Sequence, residues 1–312
     1  MTSRKDLSDE VRGLAHQRRR VVVLGGTGFV GRSLCRRLAG RGDWNVQVLT
    51  RDLASGTSVA GLPGVQVMVA DVFDTVSLRK HLQAADAVVN LVAILHGSAR
   101  RFHHVHVELP ELIGREVRRL GVRRLVHVSA LGVHEPGASM YLQSKAWGER
   151  LIAGEWPDTT LLRPSVMFGA EDRFINTFAR LERFAPVIPL ACAQALFQPV
   201  WVEDVAQAIV AALDRDDALG RIYECAGPQV LSLRQLVRRA GEWARVARPI
   251  VPLPLPVAYA QAWILEQLPG EPVMSRDNLR SMQVPNVAST SLPGLPDLGI
   301  AARSIDDYLA LG

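Results

Sequence analysis

Val21-Val22-Val23-Leu24-Gly25-Gly26-Thr27-Gly28-Phe29-Val30-Gly31 decides the fold of this chain. Its first four residues are apolar and mostly β-branched, the pattern of a strand buried on both faces. Glycines follow three apart at Gly25, Gly28 and Gly31, and Arg32-Ser33-Leu34-Cys35-Arg36-Arg37-Leu38 then repeats its apolar residues at helical spacing. Strand, glycine turn and helix in this order give the glycine pattern its meaning. Gly25 permits the tight turn, Gly28 lets a pyrophosphate approach the backbone, and Gly31 lets the helix lie against the strand. The free N–H groups and positive dipole end of the helix then face the phosphates. Gly25, Thr27, Gly28, Phe29, Val30 and Arg32 are the candidate contacts. A glycine turn that holds no ligand is the competing reading, and the residues downstream weigh against it.

Val46 to Thr50 alternates as a second strand and is followed by Arg51. In NAD-selective folds an acid near this strand end accepts from the ribose hydroxyls. Here Arg51 stands in that place, and a guanidinium suits a 2′-phosphate, with Arg32 as a second clamp. NADP(H) is therefore favoured over NAD(H). Val65 to Ala70 forms a third strand ending in Asp71-Val72. Asp71 is placed to accept from an adenine amino group while Val72 packs on the ring; the alternative for Asp71 is a cap on the helix from Thr75 to Leu82. Ala87 to Ala93 is a fourth strand, and Leu91, Val92 and Ala93 at its end leave room for a cofactor. A helix from Leu112 to Leu120 and a strand from Arg124 to Ala130 continue the alternation. The fold class is thus α/β, a doubly wound parallel sheet.

Tyr141-Leu142-Gln143-Ser144-Lys145 opens a further helix, and residues four apart share a face. An ammonium beside a phenol lowers its pKa, so Tyr141 is a candidate acid/base, with Lys145 as its electrostatic partner and a ribose ligand. Ser129, at a strand's C-terminal end, is placed to hold a substrate oxygen; a hydroxyl bonded to backbone is the plainer alternative. His106 is expected near the cofactor, at the start of the helix after the fourth strand. His103, His104 and His106 have no supporting carboxylate or cysteine cluster, and no metal is expected.

Beyond about residue 170 proline becomes frequent. Phe174 to Phe184 and Val205 to Leu213 read as helices, the latter capped by Asp204, and Ile222 to Cys225 as a short strand. The expected organisation is an N-terminal extension over 1–20, a dinucleotide-binding domain over 21–170 and a smaller interleaved lobe over 171–312. Prolines between Pro249 and Pro256 precede an apolar helix from Val257 to Leu268, too short to cross a bilayer. That helix packs on the lobe or a dimer partner, or else meets a membrane or a respiratory complex.

The 312 residues carry a net charge of +5, and Lys5, Lys80 and Lys145 are the only lysines. The arginines are scattered, without a basic stripe interleaved with aromatics, which argues against nucleic acid. Cys35, Cys192 and Cys225 are odd in number and far apart, which suggests neither disulfides nor zinc. No apolar run has the length of a membrane span, and the first residues lack the apolar core of a signal peptide. The cytoplasm is expected, with attachment at the inner membrane open.

The glycine turn, Asp71-Val72, Asn90 to Ala93, Ser129, Tyr141/Lys145 and Arg163-Pro164 together resemble an extended or atypical short-chain dehydrogenase/reductase, with a Rossmann fold, over roughly residues 21 to 226. Asn90 to Gly97, Val128 to Gly132, Gln198 to Ala206 and Pro272 to Leu279 are similar to bacterial relatives of the NADPH-binding accessory subunit of mitochondrial complex I. The resemblance implies bound NAD(P)(H), an atypical substrate lobe and a link to quinones or electron transport. One expected function is an oxidoreductase acting on a small-molecule carbonyl or alcohol. A second is a non-catalytic NADP(H) holder in a respiratory or quinone-synthesis complex. A third, a nucleotide-sugar epimerase or dehydratase, is disfavoured by the short Ser129–Tyr141 interval and by His106 where those enzymes carry asparagine.

Overall fold

Arg19–Leu24 (β1) lies at the centre of the molecule, and Val21 through Leu24 expose nothing to solvent. The computed structural model describes residues 18–133, 139–172, 174–267 and 274–310. The N-terminal extension expected over 1–20 lies almost wholly outside the described residues, as do Leu268 and Pro272-Val273. From β1 the chain runs through α1 (Phe29–Arg41), β2 (Trp44–Thr50), α2 (Leu53–Ala60), β3 (Val65–Val69), α3 (Thr75–Leu82) and β4 (Ala87–Asn90). Next come α4 (Ala99–His103), a π-helical turn (His104–Glu108), α5 (Leu109–Leu120), β5 (Arg124–Val128), α6 (Met140–Glu155) and β6 (Thr160–Pro164). The seventh strand of the sheet, β7 (Ile222–Cys225), pairs in parallel with β6. The order is β7-β6-β5-β4-β1-β2-β3, with every neighbouring pair parallel.

Side-chain alternation along these strands divides the core in two. Val21, Val23, Val46 and Val48 face α1 and α8 (Val202–Asp214), while Val22, Leu24, Val88 and Leu125 face α3 and α5. Because β2 and β4 flank β1, the connections leave in opposite directions there and open a crevice beyond the strands' C-terminal ends.

After residue 170 the chain does not stay in a separate lobe. It builds α7 (Ile175–Phe184), returns to the main body as α8 and β7, and leaves again through α9 (Leu233–Trp243), α10 (Leu255–Glu266), α11 (Arg276–Ser281) and α12 (Ile305–Leu309). Phe168, Ile175, Ile188, Leu190, Leu236 and Val237 form the lobe's own core, under a parallel pair between Ile188–Ala191 and Ile250–Leu253. Two sequence expectations shift here. Asp204 lies inside the first turn of α8, where its carboxylate accepts from the Arg303 amide at 2.8 Å, so it does not cap that helix. The helical stretch after β4 starts at Ala99, well before Leu112.

Candidate active site

The glycine turn is shaped by the space that side chains would need. Gly25 has φ +79°, and a Cβ there would lie 3.0 Å from the Leu91 carbonyl carbon, so the turn rests on the segment after β4. A Cβ on Gly31 would come within 2.5 Å of Gly25 and Gly26 backbone atoms, which is how α1 lies so close to β1. A Cβ on Gly28 would meet only the Gly25 oxygen. No side chain caps α1, leaving its first-turn amides to an anion. Val30 is buried in the core, and Phe29 turns its ring toward Gly169. These two residues have backbone, not side chains, to offer the crevice.

At the β2–β3 end of the crevice, Arg51 is exposed to solvent just beyond β2. Arg32 departs from its expected role as a second clamp. Its guanidinium donates to the Thr27 carbonyl at 2.7 Å and pairs with Glu171 at 2.5 Å, which ties α1 to the lobe. Asp71 closes a short turn by accepting the Phe73 amide at 2.9 Å, and Asp74 is the residue that caps α3. Val72 is buried in the core cluster that also holds Leu49, Ala70 and Leu78. Phe73, which sequence reasoning passed over, stacks on His104 with centroids 4.1 Å apart. His103 and His104 both bond Glu108.

The other end of the crevice is built from buried groups. Lys145 Nζ donates to the Val128 carbonyl at 2.7 Å, which sets the ammonium at the C-terminal end of β5, next to Ser129. Ser129 is 5% exposed; its amide donates to Leu162, and its hydroxyl has no hydrogen-bond partner among the described residues. Such an orphaned polar atom is costly unless something else bonds it. Tyr141, one turn ahead of Lys145 on α6, sets its ring edge-on to His106 at 5.5 Å and Phe102 at 6.3 Å. The expected lowering of its phenol is absent: burial pushes it up to about 12 while the Lys145 ammonium points at Val128. Burial brings Lys145 itself down to about 8, opposed by the Glu149 carboxylate one turn on.

His106 is neither at a helix start nor free to contact a ligand with its ring. It sits in the π-helical turn, buried, and burial with the nearby Lys145 charge brings it down to about 3. The neutral ring is held in one tautomer. Nε2 accepts the Ile94 amide at 3.0 Å, so Nδ1 donates to Ser144 Oγ at 2.9 Å, and Ser144 donates to the Tyr141 carbonyl. His106 thereby joins the segment after β4 to the Tyr141 helix. Asn90 does similar work, accepting the Val92 amide at 3.1 Å and bonding the buried His127 ring.

Two supports of α6 had no local signal. Asp277 of α11 accepts the Met140 and Tyr141 amides at 2.8 and 3.0 Å, capping α6 from the far end of the sequence. Glu149 forms a buried two-point pair with Arg163 of β6, at 3.0 and 2.6 Å. The glycine cradle, the uncapped helix and the orphaned Ser129 hydroxyl fit a dinucleotide laid across the strand ends.

Such a crevice on a doubly wound sheet defines a dinucleotide-binding α/β protein. Residues 21–226 match the NAD dependent epimerase/dehydratase family, and the chain belongs to it. It is 33% identical over 295 residues to the mouse (Mus musculus) NADH dehydrogenase [ubiquinone] 1 alpha subcomplex subunit 9, mitochondrial, covering 91% of this chain and 77% of that one. It is 28% identical over 232 residues to a ceramide reductase of Caulobacter vibrioides, covering 73% and 68% respectively. Among solved structures, MoeE5 in complex with UDP-glucuronic acid and NAD superposes with a TM-score of 0.72 at 18% identity, over 93% of this chain and 96% of that one.

Proposed function

We propose that this chain is an NADP(H)-dependent oxidoreductase that interconverts an apolar carbonyl compound and its alcohol. The observation that carries the reading is the Ser129 hydroxyl, buried without a partner among the described residues, beside the Lys145 ammonium. Gly25, Thr27, Gly28 and the first-turn amides of α1 would hold the pyrophosphate, and Arg51 the 2′-phosphate. Asp71 keeps a carboxylate oxygen for the adenine, and Leu91, Val92 and Ala93 line the floor. Bound there, the nicotinamide supplies or accepts a hydride.

The chain's own residues handle the proton. Tyr141, held neutral by burial, is an acid ready to donate to a developing alkoxide. Lys145, which releases Val128 to reach a ribose, then sits where it stabilises the phenolate that donation leaves behind. Ser129 donates to the same substrate oxygen and so gains the partner it lacks. The reductase relative supports an apolar substrate.

Tyr141→Phe tests this directly. Oxidation of NADPH against a panel of long-chain ketones and quinones should fall by about 10²–10⁴ while NADPH affinity is retained. Undiminished turnover rejects the role of Tyr141. A second reading, an NADP(H)-holding accessory subunit of a respiratory complex, is favoured by the mitochondrial relative, whose similarity spans nearly the whole chain. Wild-type protein that copurifies with NADPH yet oxidises none of it across the panel supports that reading.

A further inference from the structure

Helix α10 is inside out. Its buried positions are Ala258 and Ala262, packed on Ala191 and Leu279, while Pro256, Val257, Ala260, Trp263 and Ile264 form a stripe facing solvent. Trp263 and Ile264 are 53% and 57% exposed, and the helix has no charged residue before Glu266 at its end. The apolar face continues past the helix. Val251 is exposed on the strand that leads into α10, and that strand pairs with Ile188–Ala191, which is preceded by the exposed Phe184 and Val187. Phe184, at the end of α7, is 85% exposed.

Cations border this face. Arg180, Arg183 and Arg245 are exposed and make no ion pair among the described residues, and Arg234 donates to the Ile250 carbonyl at 3.2 Å, which leaves its charge uncompensated. The carboxylates nearby are engaged: Glu266 with Arg276, Glu242 with Arg238, and Glu182 with the Arg248 amide. A second copy of the chain suits this surface poorly. A two-fold contact would set the same four arginines against one another.

We infer that the outer face of α10, with Phe184 and Val187, docks on an anionic lipid bilayer. The apolar stripe enters the boundary between headgroups and acyl chains while the bordering arginines meet acidic headgroups. At twelve residues α10 lies along the surface, and among the described residues no helix is long and apolar enough to cross it. Docking there acts close to the candidate active site, because α10 packs on α11 and Asp277 of α11 caps the Tyr141 helix. The inference does not depend on the chemistry proposed for Tyr141.

Flotation of the full chain with two vesicle types tests it: phosphatidylcholine alone, and phosphatidylcholine with phosphatidylglycerol as about a third of the lipid. Wild type should float with the anionic vesicles and stay in solution with the neutral ones. Replacing Arg180 and Arg183 together with Gln should lower the partition coefficient by about tenfold or more, and added salt should do the same. Trp263→Ser with Ile264→Ser should abolish flotation while the melting temperature and NADPH binding hold, which separates this failure from loss of the cofactor site. Equal binding to neutral vesicles overturns the electrostatic part of the inference. A wild-type dimer that Trp263→Ser dissociates overturns it in favour of a second copy. A monomer that ignores both vesicle types also overturns it, and leaves the face to a protein partner.

Discussion

The two ends of the crevice are built on opposite principles. At the β2–β3 end, Arg51 stands in solvent and Asp71 bonds an amide two residues ahead. At the β4–β5 end the groups are buried, and their partners are distant in sequence: 12 residues for His106 and Ile94, 17 for Lys145 and Val128, 137 for Asp277 and Met140. Local, solvated contacts can change without disturbing the fold. Buried polar contacts cannot, because removing one partner strands the other in a medium that does not solvate it. On the proposed function, cofactor choice and proton handling would therefore be tied to stability very differently.

The largest effect is expected at the Arg163–Glu149 pair, where both side chains are almost fully buried. Arg163→Ala should destabilise the protein by about 3–5 kcal/mol, since it takes the two-point guanidinium partner from a buried carboxylate. Urea denaturation measures this, and Arg163→Met combined with Glu149→Leu should recover much of the loss. A cost no greater than that of a typical surface substitution would erase the contrast between the two ends.

Lys145 should show the next largest effect, and its pH dependence has a definite sign. Its folded pKa of about 8 lies below the ordinary 10.5, so between those values the unfolded chain binds a proton that the folded chain does not. Stability from this group therefore rises with pH through that window, and below it the buried ammonium is a standing cost. Tyr141 acts in the opposite sense between 10 and 12, where only the unfolded chain loses its proton. Lys145→Met should thus be most favourable to stability near neutral pH. Its advantage over wild type in paired melts should shrink by about 3 kcal/mol on approaching pH 10.5. A constant difference across that range would mean that Lys145 is solvated in the folded protein.

Most of the fold was legible because it rests on local pattern. Val21 to Leu24 and the three glycines announce β1, the turn and α1, and the steric demands at Gly25 and Gly31 are those that the spacing implies. The candidate site was legible only in part. Tyr141, Lys145 and Ser129 could be singled out by spacing and strand position, but not the direction in which Lys145 points. That direction depends on where β5 ends relative to α6. Arg32, Val72 and His106 have partners that could not be foreseen, because a residue's place in a motif does not reveal a competing partner from elsewhere in the chain. Glu171, the core beneath α3 and the Ile94 amide took them respectively. Asp277 was out of reach altogether, since nothing near it in sequence marks α6 as its target.

The smallest expected effect lies at Arg51, and it sharpens the comparison best because it should touch one property alone. The residue is exposed, so Arg51→Ala should leave the unfolding free energy within about 0.5 kcal/mol of wild type. A charge-assisted bond to a 2′-phosphate at so exposed a site would contribute about 1.5 kcal/mol, or roughly tenfold in affinity. Calorimetric titration should therefore show NADPH binding weakened by that factor and NADH binding unchanged. Equal weakening of both would mean that Arg51 acts on the pyrophosphate or the β2 turn, and the preference for NADP(H) would lose its basis. No weakening of either would place the 2′-phosphate elsewhere. Arg32, the other cation expected there, would first have to release Glu171.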